Sequence, residues 1–401
     1  MSLPPLQYVN LTAVPESETI GMTARAAALT AAGRDIVSLA AGEPDFATPD
    51  YIRAAAIRAI EAGRTHYPPA AGIGELRAAI ADHLTTRCGG TWSPAQILVS
   101  AGAKQALFNA VFTLFGPGDR IVVPAPFWVS YPAMIRLARA EPVIVRTRAE
   151  DGFKLRPSAL HDAFTAGARA VILNSPANPT GAVYDDAELD ELLEVADRFG
   201  AWVVGDEIYR ELRYREGRFP SLAARAGAYG RAVVVDGFSK AYAMTGWRVG
   251  WVAAPETLVR AMSRLQGHVN TNTALPSQLA ALAALADEDA RRAAVATMVG
   301  AFSRRRALVL DGLAGVPGIV AHPPDGAFYV WIEARAWCDA HDGSSAALAM
   351  DLLEREGVAL VPGAAFGGEG YLRLSFAARD DRLVAAIERL RSYAERMGAA
   401  A

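Results

Sequence analysis

Short apolar runs recur along the chain, and small or polar residues follow each at once. They are Ile97-Leu98-Val99, Arg120 to Val123, Ala170 to Leu173, Trp202-Val203-Val204-Gly205 and Ala232-Val233-Val234-Val235. Such runs read as buried strands. Amphipathic stretches separate them: a helix from about Lys104 to Phe115, and another marked by Leu189, Leu192, Leu193 and Ala196 that ends at Gly200. This alternation predicts an α/β fold with a mainly parallel sheet. In such a sheet the ligand crevice lies outside the carboxyl ends of the strands. The loops that begin at Asn174, Asp206 and Ser239-Lys240 should therefore converge on one pocket.

At 401 residues the chain is too long for one ordinary core, so two lobes are expected. The larger spans 48–300. The smaller, α+β in pattern, spans 301–401 and is joined by an N-terminal arm and lobe segment, 1–47. A hydrophobic share of 52% against 21% charged residues argues for large buried surfaces and against disorder. A net charge of −3 argues against a nucleic-acid partner. Cys88 and Cys338 stand apart, without the C-x-x-C pairing of zinc or redox sites, and no histidine spacing suggests a metal. The segment Met1-Ser2-Leu3-Pro4-Pro5 has neither the basic nor the apolar part of a secretory signal. No apolar stretch approaches a membrane span, so a cytoplasmic location is expected. Three local readings complete the pass. Thr48-Pro49 reads as a helix start with a capping hydroxyl, and Leu279 to Ala296 as one alanine-rich helix. Arg304-Arg305-Arg306 reads as a solvated helix face.

The chemistry centres on Lys240, in Gly237-Phe238-Ser239-Lys240-Ala241-Tyr242-Ala243-Met244-Thr245-Gly246-Trp247-Arg248-Val249-Gly250. A lysine just past a strand end, in a dry pocket, can lose its proton and attack a carbonyl. An arginine eight residues on suits a phosphate. Pyridoxal 5′-phosphate needs both groups, and this string resembles the lysine-attachment signature of the class I aminotransferases. Asn174-Ser175-Pro176-Ala177-Asn178-Pro179-Thr180-Gly181 and Asp206-Glu207-Ile208-Tyr209 resemble two further motifs of that family, in family order.

The resemblance implies a fold-type I pyridoxal-phosphate-dependent transferase. Such a fold has a mainly parallel seven-stranded sheet between helices and a smaller α+β domain. It implies that Lys240 is the covalent anchor and general acid–base, and that Asp206 faces the pyridine nitrogen. Asn178 and Tyr209 would serve the phenolic oxygen, Arg248 the phosphate, and Trp128 the ring face. Gly102, Ala103 and Lys104 lie at the phosphate loop, where small residues and free N–H groups at a helix start admit an anion. Lys104 in the first helical turn opposes the macrodipole and calls for an anion nearby. That anion could be the cofactor phosphate or an acidic substrate side chain. In the subgroup resembling bacterial aspartate and aspartate–prephenate aminotransferases, this lysine reads the distal carboxylate. Arg373, in an apolar alternating strand, and the Gly42 backbone would hold the α-carboxylate. Ser17 and Thr19 would lie near the substrate. Tyr67 would cross a homodimer interface to the neighbouring subunit's phosphate.

The expected function is amino transfer between L-aspartate or L-glutamate and a 2-oxo acid by a ping-pong Schiff-base mechanism. Aromatic or neutral amino acids, or prephenate, are alternative substrates, and β-elimination is an alternative reaction. A non-catalytic DNA-binding relative is disfavoured, because residues 1–40 are too short and too weakly basic for such a domain.

Overall fold

A computed structural model describes residues 11, 14 and 16–399. The opening segment read for a signal lies outside the described residues. Thirteen strands are present among them: β1 Val37–Ser38, β2 Ile97–Ser100, β3 Arg120–Ala125, β4 Glu141–Arg146, β5 Ala170–Asn174, β6 Trp202–Asp206, β7 Ala232–Gly237, β8 Gly250–Ala253, β9 Val320–His322, β10 Tyr329–Glu333, β11 Val358–Ala359, β12 Val361–Pro362 and β13 Tyr371–Ser375. Seven form one sheet in the order β2-β8-β7-β6-β5-β3-β4. Every neighbouring pair is parallel except the two made by β8, which runs antiparallel to both β7 and β2. The fold is thus α/β, with a large, mostly parallel sheet and a smaller antiparallel sheet ordered β12-β13-β10-β9.

The apolar runs are continuous because both faces of the large sheet are covered. Val233 and Val235 enter one apolar cluster while Ala232 and Val234 enter the other. Ile172 and Val204 join the first cluster, and Val171, Leu173 and Val203 the second. β1 pairs with β11, so the N-terminal segment is bound to C-terminal chain.

Three local expectations are corrected. Thr48 does not cap the helix Asp50–Glu61. Its buried hydroxyl donates to the Ala243 carbonyl at 2.7 Å and accepts from Trp247 Nε1 at 2.9 Å, so it ties this segment to the Lys240 loop. The alanine-rich stretch is two helices, Leu275–Ala286 and Glu288–Leu313, because Asp287 breaks it. The Asp287 side chain accepts from Asp289 N at 3.0 Å and Ala290 N at 2.9 Å. A carboxylate that satisfies two orphan helix donors outweighs alanine's propensity to continue. Asp287→Ala is expected to cost about 1 kcal/mol, read as a lower urea midpoint with an unchanged slope. Arg305, finally, is not on a solvated face. It is buried and grips Asp45 at 2.8 and 2.9 Å and Asp380 at 2.9 Å. Three consecutive helical residues sweep about 200°, so one of an arginine triplet on a packed helix must turn inward.

Candidate active site

The sheet topology decides which loops meet. β5, β6 and β7 are parallel, so Asn174, Asp206 and the loop to Lys240 leave the same edge. β2 is antiparallel to β8, which is antiparallel to β7, so Ser100-Ala101-Gly102 leaves that edge too. β8 starts there, which delivers Arg248 to the same place. The backbones are close: a Cβ on Gly250 would lie 2.4 Å from Ala103 N, and one on Gly102 (φ +83°) would lie 2.5 Å from Arg248 Nη2. Only glycine fits that approach.

These loops surround a cavity of 380 Å³. Of the residues expected at the site, Gly42, Ala103, Lys104, Trp128, Asn178, Asp206, Tyr209, Lys240, Arg248 and Arg373 all line it. Gly102 lies against Arg248, and Thr19 also lines the cavity, with a buried Oγ1 that has no partner. Ser17 instead stands just ahead of the helix Glu18–Ala31 and makes no side-chain capping bond. Tyr67 is not brought to this cavity: its side chain stands 88% exposed. A larger cleft of 940 Å³, lined by Arg146, Arg148, Glu333 and Arg335 among others, contains none of the expected site residues.

Cations converge here on neutral oxygen partners. Lys240 Nζ donates to the Gly42 carbonyl. Arg248 donates to Thr245 O at 2.9 Å and Ala101 O at 3.3 Å. Arg373, 1% exposed, donates to Ala40 O at 2.6 Å and to Asn178 Oδ1 at 3.0 Å, and its Nε has no partner. Its guanidinium lies over Tyr329 at 4.4 Å and Phe366 at 4.9 Å. Lys104 Nζ sits 5.0 Å from the Trp128 ring centre. Loss of hydration, and then Arg248, hold the Lys104 ammonium below the ordinary lysine range. Burial pushes Lys240 down to about 8, with Arg373 and Arg248 adding to the effect and Glu43 and Asp206 opposing it. Burial pushes Asp206 up to about 6, against the Tyr131 hydroxyl, the Ile208 N–H and Lys240.

Several participants were not singled out from sequence. Tyr131 donates to Asp206 Oδ2 at 2.6 Å, and the Tyr329 hydroxyl meets that of Tyr209 at 2.8 Å. Asn174 ties two loops together, donating to Asp206 O at 2.9 Å and accepting from Asn178 N at 2.8 Å. Asn174 carried a signal, standing at a strand end as the first residue of a recognised motif, though no role was read for it. Tyr131 and Tyr329 read as ordinary core aromatics.

The residues present fit a phosphate-bearing carbonyl cofactor. The helix Ala103–Leu114 opens at the cavity with no side-chain cap, so its first N–H groups and Arg248 form an anion cradle. A lysine at reduced basicity and a buried carboxylate without a paired cation complete the set. This is the constellation of a Schiff-base enzyme in an open α/β sheet.

Comparison with known proteins gives the family. Residues 34–390 match the model of aminotransferase class I and II. The chain is 43% identical to an aspartate/prephenate aminotransferase of Cereibacter sphaeroides, covering 96% of this chain and 97% of that one. It is 37% identical to the aspartate aminotransferase of Bacillus subtilis, covering 96% and 98%. Among solved structures, Thermus thermophilus aspartate aminotransferase with maleate superposes with a TM-score of 0.90 at 38% identity, covering 97% of this chain and 100% of that one. The chain belongs to the class I and II aminotransferases, whose cofactor is pyridoxal 5′-phosphate. Among the described residues no helix is long and apolar enough to cross a membrane, and no cluster of potential metal ligands is present.

Proposed function

We propose that this aminotransferase moves the amino group of L-aspartate or L-glutamate to a 2-oxo acid. One observation carries the reading: Arg248, Arg373 and Lys104 line a single cavity, and the hydrogen-bond partners of the two arginines there are carbonyl or amide oxygens. The reaction requires three anions at once, namely a cofactor phosphate, an α-carboxylate and a side-chain carboxylate. Relatives named for aspartate, and a structural neighbour holding the dicarboxylate maleate, support the same choice.

When bound, pyridoxal 5′-phosphate supplies a carbonyl for amines and a ring that accepts the electrons of a broken C–H bond. The chain supplies the rest. The uncapped helix start at Gly102-Ala103-Lys104 and Arg248 hold the phosphate. Asp206 would keep the ring nitrogen protonated. Asn178, its Oδ1 engaged by Arg373, retains its amide N–H groups for the phenolic oxygen beside Tyr209. Trp128 covers the ring face. Arg373 forks onto the α-carboxylate, with the Gly42 backbone beside it. Lys240 would supply the amine that holds the cofactor and the group that moves the proton at the substrate α-carbon. Lys104 reads the distal carboxylate.

A homodimer in which Tyr67 reaches the neighbouring site rests on the likeness of the loop Thr65 to Gly72 to its counterpart in the family, and the 88% exposure of Tyr67 leaves it free for that role. Unpaired, buried Cys88 and Cys338 support a cytoplasmic location. The β1–β11 pairing and the Arg305 bonds to Asp45 and Asp380 support grouping 1–47 with 301–401 around the 48–300 domain.

Adding L-aspartate alone to the loaded enzyme is expected to shift its absorption band, and 2-oxoglutarate should restore it. A shift with phenylalanine or alanine but not aspartate would leave amino transfer standing and remove the acidic substrate. Ammonia released without an oxo acid would indicate elimination instead. Lys104→Met is expected to lower kcat/KM for aspartate roughly 10–100-fold while leaving alanine turnover within about twofold, since one charge-assisted contact is worth about 1.5–3 kcal/mol.

A further inference from the structure

We propose that Tyr131 is a positioning residue for Asp206, its hydroxyl holding the carboxylate ionised and fixed in direction for the cofactor's ring nitrogen. This rests on the cofactor role given to Asp206 above.

The geometry is specific. Tyr131 and Asp206 are both buried, and Tyr131 Oη lies 2.6 Å from Asp206 Oδ2, within the range of a charge-assisted O–H···O⁻ bond. The other oxygen, Oδ1, accepts from the Ile208 backbone N–H at 3.2 Å. One donor on each oxygen fixes the plane of the carboxylate. The charged and titratable groups facing Asp206 are few: Tyr131 from the helix Ser130–Leu137, Lys240 beyond β7, and Glu207 and Tyr209 on its own turn. Glu207 is engaged elsewhere, accepting from Ser221 Oγ and Leu222 N, each at 2.7 Å. Tyr209 is engaged with Tyr329. Tyr131 is therefore the one side chain that hydrogen-bonds the carboxylate among the described residues.

Burial, with the Asp206 charge beside it, raises the Tyr131 hydroxyl well above its ordinary range, so it remains a donor at every working pH. Of the effects that oppose protonation of Asp206, its hydrogen bond is the largest. One helical turn also delivers two functions together. Tyr131 N donates to Trp128 O at 3.0 Å, and the two rings meet edge to face at 5.3 Å and 81°. The residue that would cover the cofactor ring and the one that aims its counter-ion thus share a single rigid step.

The test titrates cofactor-free protein with pyridoxal 5′-phosphate between pH 6 and 9, followed by tryptophan fluorescence. Removing the donor leaves Asp206 more readily protonated, so the loss must be greatest at low pH and shrink as rising pH ionises the carboxylate. Tyr131→Phe is expected to weaken binding about tenfold or more near pH 7, with the gap narrowing towards pH 9. In an Asp206→Asn background the same change should alter the dissociation constant less than about twofold, because the partner charge is gone. A pH-independent loss, or an equal loss in both backgrounds, would reduce Tyr131 to a packing residue and overturn the proposal. Should the phenylalanine variant not fold, 3-fluorotyrosine incorporated in place of Tyr131 keeps ring and donor and should tighten binding near pH 6, whereas no change counts against the proposal. If Asp206→Asn itself binds as tightly as the parent protein at every pH, the cofactor role of Asp206 fails and takes this proposal with it. That outcome is distinct from a failure of Tyr131 alone.

Discussion

Lys240→Ala is expected to lower kcat/KM by at least about 10⁴-fold while leaving the fold intact. General acid–base transfer by a positioned group contributes about 10²–10⁴, and the covalent route through the lysine is lost in addition. Stability should hold, because the half-buried Lys240 ammonium has one carbonyl partner and no ion-paired carboxylate. Removing it deletes a poorly solvated charge rather than a structural bond. Added methylamine should restore part of the turnover, since the vacated cavity admits a small amine. Lys240→Arg should be as inactive, because a guanidinium does not give up its proton. The lowered basicity has its own signature. Burial brings Lys240 to about 8, so the neutral, attacking form dominates above that pH. Cofactor uptake by the empty protein should accelerate with pH and level off beyond about 8, well below the range of an ordinary lysine. Uptake that climbs steadily past pH 10, or a Lys240→Ala variant within tenfold of the parent, would remove Lys240 from the centre of the site.

Arg373→Met should separate activity from stability. The guanidinium is 1% exposed, donates to two neutral oxygens, and leaves Nε without a partner. A buried cation in that condition is poised for a carboxylate that arrives with the substrate. Losing a bidentate charge-assisted pair costs about 3–4 kcal/mol, roughly 10²–10³-fold in kcat/KM. Unfolding free energy should move by less than about 1.5 kcal/mol, because the two lost hydrogen bonds are offset by relief of a desolvated charge. Arg373→Lys should fall between, since an ammonium cannot make the planar fork. The loss should appear for every amino acid donor, unlike that of Lys104→Met. A variant that unfolds instead would show that Arg373 is a structural cation and would return the α-carboxylate to an unidentified partner.

Much of this site was legible in sequence, for a local reason. In a mostly parallel sheet covered on both faces, strands are continuous apolar runs and functional side chains follow them immediately. Asn178, Asp206, Lys240 and the Gly102 turn can thus be placed by counting from Leu173, Val204, Val235 and Val99. The alanine-rich helix was broken by a local cap at Asp287, but in the other two failures a tertiary partner had overruled the local signal. Thr48 resembles a cap, yet its hydroxyl is drawn to Ala243, 195 residues away. Arg305 resembles a surface residue, yet Asp45 and Asp380 hold it inward.

The sequence by itself determined five of the seven strands of the large sheet, the chemistry-bearing residues that follow them, and the kind of cofactor those residues serve. The strands depend on periodicity, and the residue roles and the cofactor on the resemblance of whole motifs to a known family, both of which a linear chain displays. Only the tertiary structure decided that β8 runs against its neighbours, bringing Arg248 to the edge where Gly102 leaves the sheet. The same holds for the Arg373 bond to Asn178, 195 positions earlier, and the Tyr131 bond to Asp206, 75 positions later. A hydrogen bond between distant segments leaves no spacing in sequence. It exists because burial strips water from both groups, and each must then find its partner in whatever the fold has placed beside it.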